Sequence, residues 1–235
     1  MPSACFPRGV KRPPSSSDGP TLPMNTLCND AWMGIRPAAT IVVARPGKAD
    51  GPRVEVLLLR RSARSRFAGG FIVFPGGLVE DGDAELAARW FGSRDELSRA
   101  CAVRELAEET GLVATAGGLV EAPGRLPGDP GFPAPESSSL PEMARWVAPE
   151  FLPVRFDARF FALAAPRGLT AHPDGVEVDL AWWAAPENAL ESHLRGDGPL
   201  LWPTLKTMEA LADCASVADV LALRVTPVPP PIPAS

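Results

Sequence analysis

The chain reads as an α+β protein, a mixed β-sheet with helices on its faces. Two groups of short apolar strand patterns flank a stretch with helical periodicity, and a second helical stretch closes the folded part. Its 235 residues, 46% hydrophobic and 22% charged, can bury one good core, so one domain is the default. That domain is expected over residues 37–225. A disordered lead at 1–36 precedes it, with Pro13-Pro14-Ser15-Ser16-Ser17 as its extreme, and a Pro-rich tail at 226–235 should run extended without a packing role.

In chain order, Ala38–Ala44 and Val54–Arg61 are apolar runs joined by the turn-rich Pro46-Gly47-Lys48-Ala49-Asp50-Gly51-Pro52, which predicts a hairpin. Phe71–Phe74 is a third short strand, and Pro75-Gly76-Gly77 after it predicts a loop. Ala84–Phe91 has a helical mix of polar and apolar residues and stops at Gly92. A second helix runs from about Asp95, with Ser93 or Asp95 as its cap, to a stop at Gly111. Leu112–Glu121 reads as a strand, Ala122–Pro135 as a long surface loop, and Pro141–Val147 as a short helix. Arg155–Ala164 alternates, with Phe156, Ala158 and Phe160 on one face and Arg155, Asp157 and Arg159 on another that should line something polar. Val176–Trp183 alternates again, Glu177 and Asp179 sharing a face. Leu200–Arg224 predicts one or two packing helices.

The net charge of −5 argues against a protein that works by neutralising nucleic-acid phosphates. Cys5, Cys28, Cys101 and Cys214 show neither metal-ligand nor disulfide spacing, which suits a reducing, cytoplasmic setting. No stretch approaches the roughly 20 apolar residues of a membrane helix, so no membrane partner is expected, and a homodimer is left open.

The run from Arg104 to Leu112 carries the chemistry. At about 100° per residue, Glu105, Glu108 and Glu109 share one arc, while Ala102, Val103, Leu106 and Ala107 fill the opposite, core-facing one. Like charges so spaced destabilise a bare helix by about 0.2–0.5 kcal/mol per pair, and a shared cation would offset the repulsion. A solvated acidic face is the plain alternative for any such run.

Pro75-Gly76-Gly77 followed by Arg104-Glu105-Leu106-Ala107-Glu108-Glu109-Thr110-Gly111-Leu112 resembles the Nudix box, whose second half is matched at every fixed position. The first half departs from it. Counting forward from Gly77 puts Asp83 at the box's acidic position, 13 residues too far from Arg104; counting backward from Arg104 puts Glu96 there. An insertion containing Ala84–Phe91 explains both counts, and either acid could pair with Arg104. The resemblance implies the Nudix fold, an α/β/α sandwich, and a Mg2+ or Mn2+ site made by Glu105, Glu109, Glu108 and the Gly76 carbonyl. It also implies catalytic roles for Glu105, Arg104 and Glu108, with Glu105 or a distal acid, Glu177 being the best placed, as general base.

Upstream, Leu57-Leu58-Leu59-Arg60-Arg61-Ser62, then Arg66, Gly70 and Phe74-Pro75-Gly76-Gly77, resembles the motif of coenzyme A diphosphatases in that family, with Leu59 where threonine is usual. The insertion and Arg155–Phe161 look like the longer branch that includes acyl-CoA diphosphatases. The resemblance implies hydrolysis of CoA or acyl-CoA to 3′,5′-ADP and a phosphopantetheine, a small-molecule nucleotide substrate. Arg60, Arg61 and Arg66 would serve as phosphate ligands, with Arg159 a further substrate-binding candidate. ADP-ribose, NADH or another nucleoside diphosphate derivative is the alternative substrate, and a non-catalytic ligand-binding module the alternative role.

Overall fold

The computed structural model describes residues 34–48, 51–65, 68–152 and 154–231. By internal contacts the chain divides into Met1–Gly34 and Ile35–Ser235. The expected lead therefore falls outside the described residues as far as position 33. Its last residue, Arg36, already belongs to β1.

Nine strands and five α-helices are found among the described residues: β1 Arg36–Pro46, β2 Val54–Arg61, β3 Ile72–Val73, β4 Gly76–Leu78, α1 Asp83–Phe91, α2 Leu97–Thr110, β5 Leu112–Thr115, β6 Gly118–Glu121, β7 Glu142–Val147, β8 Phe156–Ala164, β9 Val178–Ala184, α3 Pro186–Leu194, α4 Trp202–Ala212 and α5 Val217–Ala222. The main sheet has the order β3-β2-β1-β8-β7, with β4 added on β1 and β9 on β2. It is mixed, since β1 and β8 run parallel while the remaining pairs are antiparallel.

Period-two alternation along the central strands sorts their side chains into two layers. Ala39, Ile41, Val43, Leu57, Phe161 and Leu163 pack with Ala87, Trp90, Val103 and Leu106 of α1 and α2. Their neighbours Val42, Ala44, Val56, Leu58, Phe160 and Ala162 face Ala189, Met208, Leu211 and Val220 of α3, α4 and α5. Both faces of the sheet are covered, as expected for an α/β/α sandwich, which is why β1 and β2 read as nearly unbroken apolar runs.

Three expectations are corrected. Pro75-Gly76-Gly77 is not simply a loop: Gly76 and Gly77 open β4, which pairs with Thr40 and Ala39 of β1. Gly76 sits at φ +154 with the Ala39 carbonyl only 2.4 Å from where a Cβ would be, so the close strand approach requires glycine there. Leu112–Glu121 is a hairpin rather than one strand, turning at Ala116-Gly117. Pro141–Val147 is an edge strand, β7, rather than a helix, because β8 offers it a long-range ladder that local propensity does not register. The described part of the C-terminal tail is exposed at 226–229 and touches the fold through the Val228 carbonyl, which accepts the Trp202 indole N–H at 2.6 Å.

Candidate active site

The acidic helix α2 is entered through a 3-10 turn at Arg94–Glu96, where Ser93 Oγ accepts the Asp95 N–H, and it stops at Gly111 in the left-handed region. Its carboxylates are not a solvated face. Glu109 is only 3% exposed, and its Oε2 accepts the Gly76 N–H at 2.9 Å. The Glu105 carboxylate lies over Gly77, whose absent Cβ would stand 2.3 Å from Glu105 Oε1. Glu108 is half exposed.

Arg104 organises this group. Its Nε and Nη2 donate to the two oxygens of Asp83 at 2.8 and 3.1 Å, a two-pronged pair buried between α1 and α2. Its Nη1 donates to Glu105 and to Glu108, each at 2.9 Å, and Nη2 also reaches the Leu78 carbonyl. Asp83, the first residue of α1, is thus the acid that holds Arg104, and it also accepts the Glu80 N–H at 2.8 Å. Glu96 pairs instead with Arg99. The 13 inserted residues therefore lie after Asp83 and fold into the remainder of α1 and the turn into α2, which brings the acid back beside Arg104.

The buried carboxylates hold protons unusually tightly. Burial pushes Glu105 up to about 7 against the opposing pull of Arg104, with Glu108 and Glu177 adding to the rise. Burial likewise pushes Glu109 up to about 8; the Gly76 N–H opposes it, Glu105 and Glu177 add to it, and Arg61 acts the other way from a distance. Among the described residues, no basic side chain comes within ion-pair distance of Glu109. These are the conditions a cation would relieve. Also among the described residues, no three acidic, histidine or cysteine side chains converge closely enough to enclose an ion alone. The donor set nevertheless fits Mg2+ or Mn2+, hard ions that accept a few carboxylates and a backbone carbonyl and fill the other positions with water or substrate oxygens.

The remaining candidates divide. Arg61 ends β2 with its Nε buried and without a hydrogen-bond partner, and its Nη2 lies 3.9 Å from Glu177 Oε2. Glu177 is largely exposed, just before β9, and its charge reaches both Glu105 and Glu109. The structure thus gathers Arg61, Glu177, Glu105, Glu108, Glu109 and Gly76 into one neighbourhood. Arg60 is exposed one residue earlier on β2, and Arg66 lies outside the described residues. Arg159 is not brought to the carboxylates. It lines a cleft of about 180 Å³ at the other end of α2 with Pro37, Ser98 and Asp157, and stands 3.6 Å from Glu142.

Two features carried weaker signals in the sequence. Cys101 is fully buried, its thiol 3.3 Å from the Leu78 carbonyl and raised by burial, and so stays protonated. Asp174 accepts backbone N–H groups around Glu177; the Asp174-Gly175 pair is a turn signal that could have marked it.

The NUDIX domain model matches residues 34–201, and the chain belongs to that family. It is a NUDIX hydrolase, and such enzymes typically use a divalent metal ion. A crystal structure of a NUDIX hydrolase from Alicyclobacillus acidocaldarius is 31% identical, covers 84% of this chain and 100% of its own, and superposes with a TM-score of 0.69. Human acyl-coenzyme A diphosphatase NUDT19 is 25% identical over 256 residues, spanning 79% of this chain and 67% of the human protein. No helix among the described residues is long and apolar enough to cross a membrane.

Proposed function

We propose that this hydrolase cleaves the diphosphate of coenzyme A or an acyl-CoA, giving 3′,5′-ADP and the corresponding phosphopantetheine, with Mg2+ or Mn2+ held by Glu105, Glu109, Glu108 and the Gly76 carbonyl. The observation that supports this reading is the set of α2 carboxylates at the Gly76-Gly77 backbone: the Asp83-anchored Arg104 holds Glu105 and Glu108, Glu105 lies over Gly77, and Glu109 accepts the Gly76 N–H. Arg104 fixes Glu105 and Glu108 so that their spacing does not depend on solvent-exposed rotamers. A bound ion there supplies Lewis acidity toward the diphosphate and its attacking water.

Arg61, with an unpartnered buried Nε and its Nη2 near Glu177, receives a diphosphate oxygen, and Arg66, five residues further along the chain, supplies further positive charge for the phosphates. Arg60, on the face of β2 shared with Val56 and Leu58, is on the side of the sheet away from α2 and has no part there. Glu177 takes the proton of the water. It stands outside the ion's ligand set, and its exposure lets it pass the proton to solvent. Arg159, engaged with Glu142 at the far end of α2, has no part in the step.

The choice of CoA is supported by the Arg61-Ser62, Arg66, Gly70 and Phe74-Pro75 spacing and by the human acyl-CoA diphosphatase among the relatives. Hydrolysis of CoA, acetyl-CoA, ADP-ribose and NADH should be compared side by side with Mg2+, and products identified by mass. Release of 3′,5′-ADP from the thioester or thiol substrate at a higher kcat/KM than any ADP-ribose cleavage is expected. Robust ADP-ribose or NADH cleavage without CoA turnover would assign the alternative substrate, and no turnover of any of them a binding module.

A further inference from the structure

Glu177 sits on an exposed turn, where a side chain with catalytic duty would ordinarily be placed poorly. The backbone that carries it is closed on several sides. Asp174 Oδ1 accepts the N–H groups of Val176, Glu177 and Val178 at 3.0, 3.1 and 2.9 Å, and its Oδ2 adds a contact to the Glu177 N–H at 3.3 Å. Gly175, at φ +72, makes the reversal and donates to the Val178 carbonyl at 3.1 Å. The Glu177 carbonyl accepts the Ser62 N–H at 2.8 Å, one residue past Arg61. Upstream, the His172 N–H donates to the carbonyl of Thr110, the last residue of α2, at 2.7 Å, and the Thr170 N–H to Glu121 at 2.6 Å. The turn is thereby tied to the two elements that carry Glu109 and Arg61.

We infer that Asp174 is a positioning residue of this site: its carboxylate closes the 174–178 turn and so sets Glu177 opposite Arg61 and beside the carboxylates of α2. The inference rests on the reading in which Glu177 accepts the proton. Asp174 acts through the backbone it clasps, since its oxygens accept only main-chain N–H groups of the turn. One oxygen carries all three of the shorter bonds, so an amide carbonyl in its place can still close the turn. A methyl group cannot.

The full-length chain and its Asp174→Ala, Asp174→Asn, Glu177→Gln and Asp174→Ala/Glu177→Gln variants should be assayed with Mg2+ and CoA or ADP-ribose, alongside amide hydrogen exchange of residues 170–180. A displacement of about 1 Å at a reacting group can cost on the order of 10²-fold. Asp174→Ala should therefore lose about tenfold or more in kcat with KM unchanged, Asp174→Asn should recover most of it, and the double variant should be no slower than Glu177→Gln alone. A wild-type rate in Asp174→Ala, the same loss repeated in the Glu177→Gln background, or an Asn variant as slow as the Ala variant would overturn the assignment. If the wild-type chain hydrolyses no diphosphate, the functional reading fails by itself. Exchange then decides the clasp: faster exchange at Val176–Val178 in the Ala but not the Asn variant upholds it, and unchanged exchange refutes it.

Discussion

Replacing Asp83 by alanine removes both prongs that hold Arg104, and the cost follows from where the pair lies. The Asp83 side chain is fully enclosed and that of Arg104 is 9% exposed, so the guanidinium would lose its main counter-charge without gaining water. Breaking such a buried pair costs about 3–5 kcal/mol. Arg104 keeps Glu105 and Glu108 on Nη1 and the Leu78 carbonyl on Nη2, which places the expected loss at the lower end, about 3 kcal/mol. For a chain of this size that corresponds to a fall of roughly 6–12 °C in Tm. The control is Glu96→Ala, which removes a 28% exposed partner of Arg99 and should cost about 0–1 kcal/mol. Urea unfolding of both variants, read by tryptophan fluorescence, measures the difference. A Glu96→Ala loss equal to or larger than that of Asp83→Ala would refute the assignment of the anchor and the placement of the insertion.

Two further outcomes are expected. Glu109→Gln retains an acceptor for the Gly76 N–H but loses its charge, so its fold should persist by circular dichroism while Mg2+-dependent kcat drops at least about 100-fold, more than loss of a supporting contact to a metal ligand causes; a rate equal to wild type would refute the ligand role. Glu105 and Glu109 are raised to about 7 and about 8 from 4.5 in the folded chain, so the stability that comes from their neutral forms is complete below about pH 4.5 and is lost as pH rises through 7 and 8. In EDTA, the Tm of wild type should therefore fall relative to that of Glu109→Gln between pH 6 and 9, and added Mg2+ should reduce the gap; a gap that widens in favour of wild type as pH rises would contradict the burial of these acids.

Much of this architecture was legible because its signals are local. Val54–Arg61 is an apolar run bounded by turn residues and forms β2 without change, and Gly92 and Gly111 end the two helices where their left-handed conformations require. The Arg104–Leu112 run identified the acidic helix from its spacing. What escaped depends on partners far away in sequence. Glu142–Val147 becomes a strand only because Phe156–Ala164 lies beside it, and Gly76–Leu78 because Ala38–Thr40 does. The Asp83 and Glu96 alternatives were equivalent by counting, and only the path of α1 returns Asp83 to Arg104. The helix Pro186–Leu194 went unassigned although proline at its first position was an available start signal. In Val176–Trp183 an irregularity in the pairing at Arg60 and Arg61 interrupts the expected alternation, leaving Leu180 exposed while Val178 is buried.

The central claim is that the α2 carboxylates and the Gly76 backbone hold the catalytic ion. Crystals grown with Mn2+ and examined by anomalous scattering test it directly, since the ion is located without reference to activity. The account predicts an anomalous peak within about 2.0–2.6 Å of oxygens from Glu105, Glu109 and the Gly76 carbonyl, the range for hard divalent ions. A Mn2+ peak bound elsewhere, with Glu105 and Glu109 contacting no ion, would contradict it.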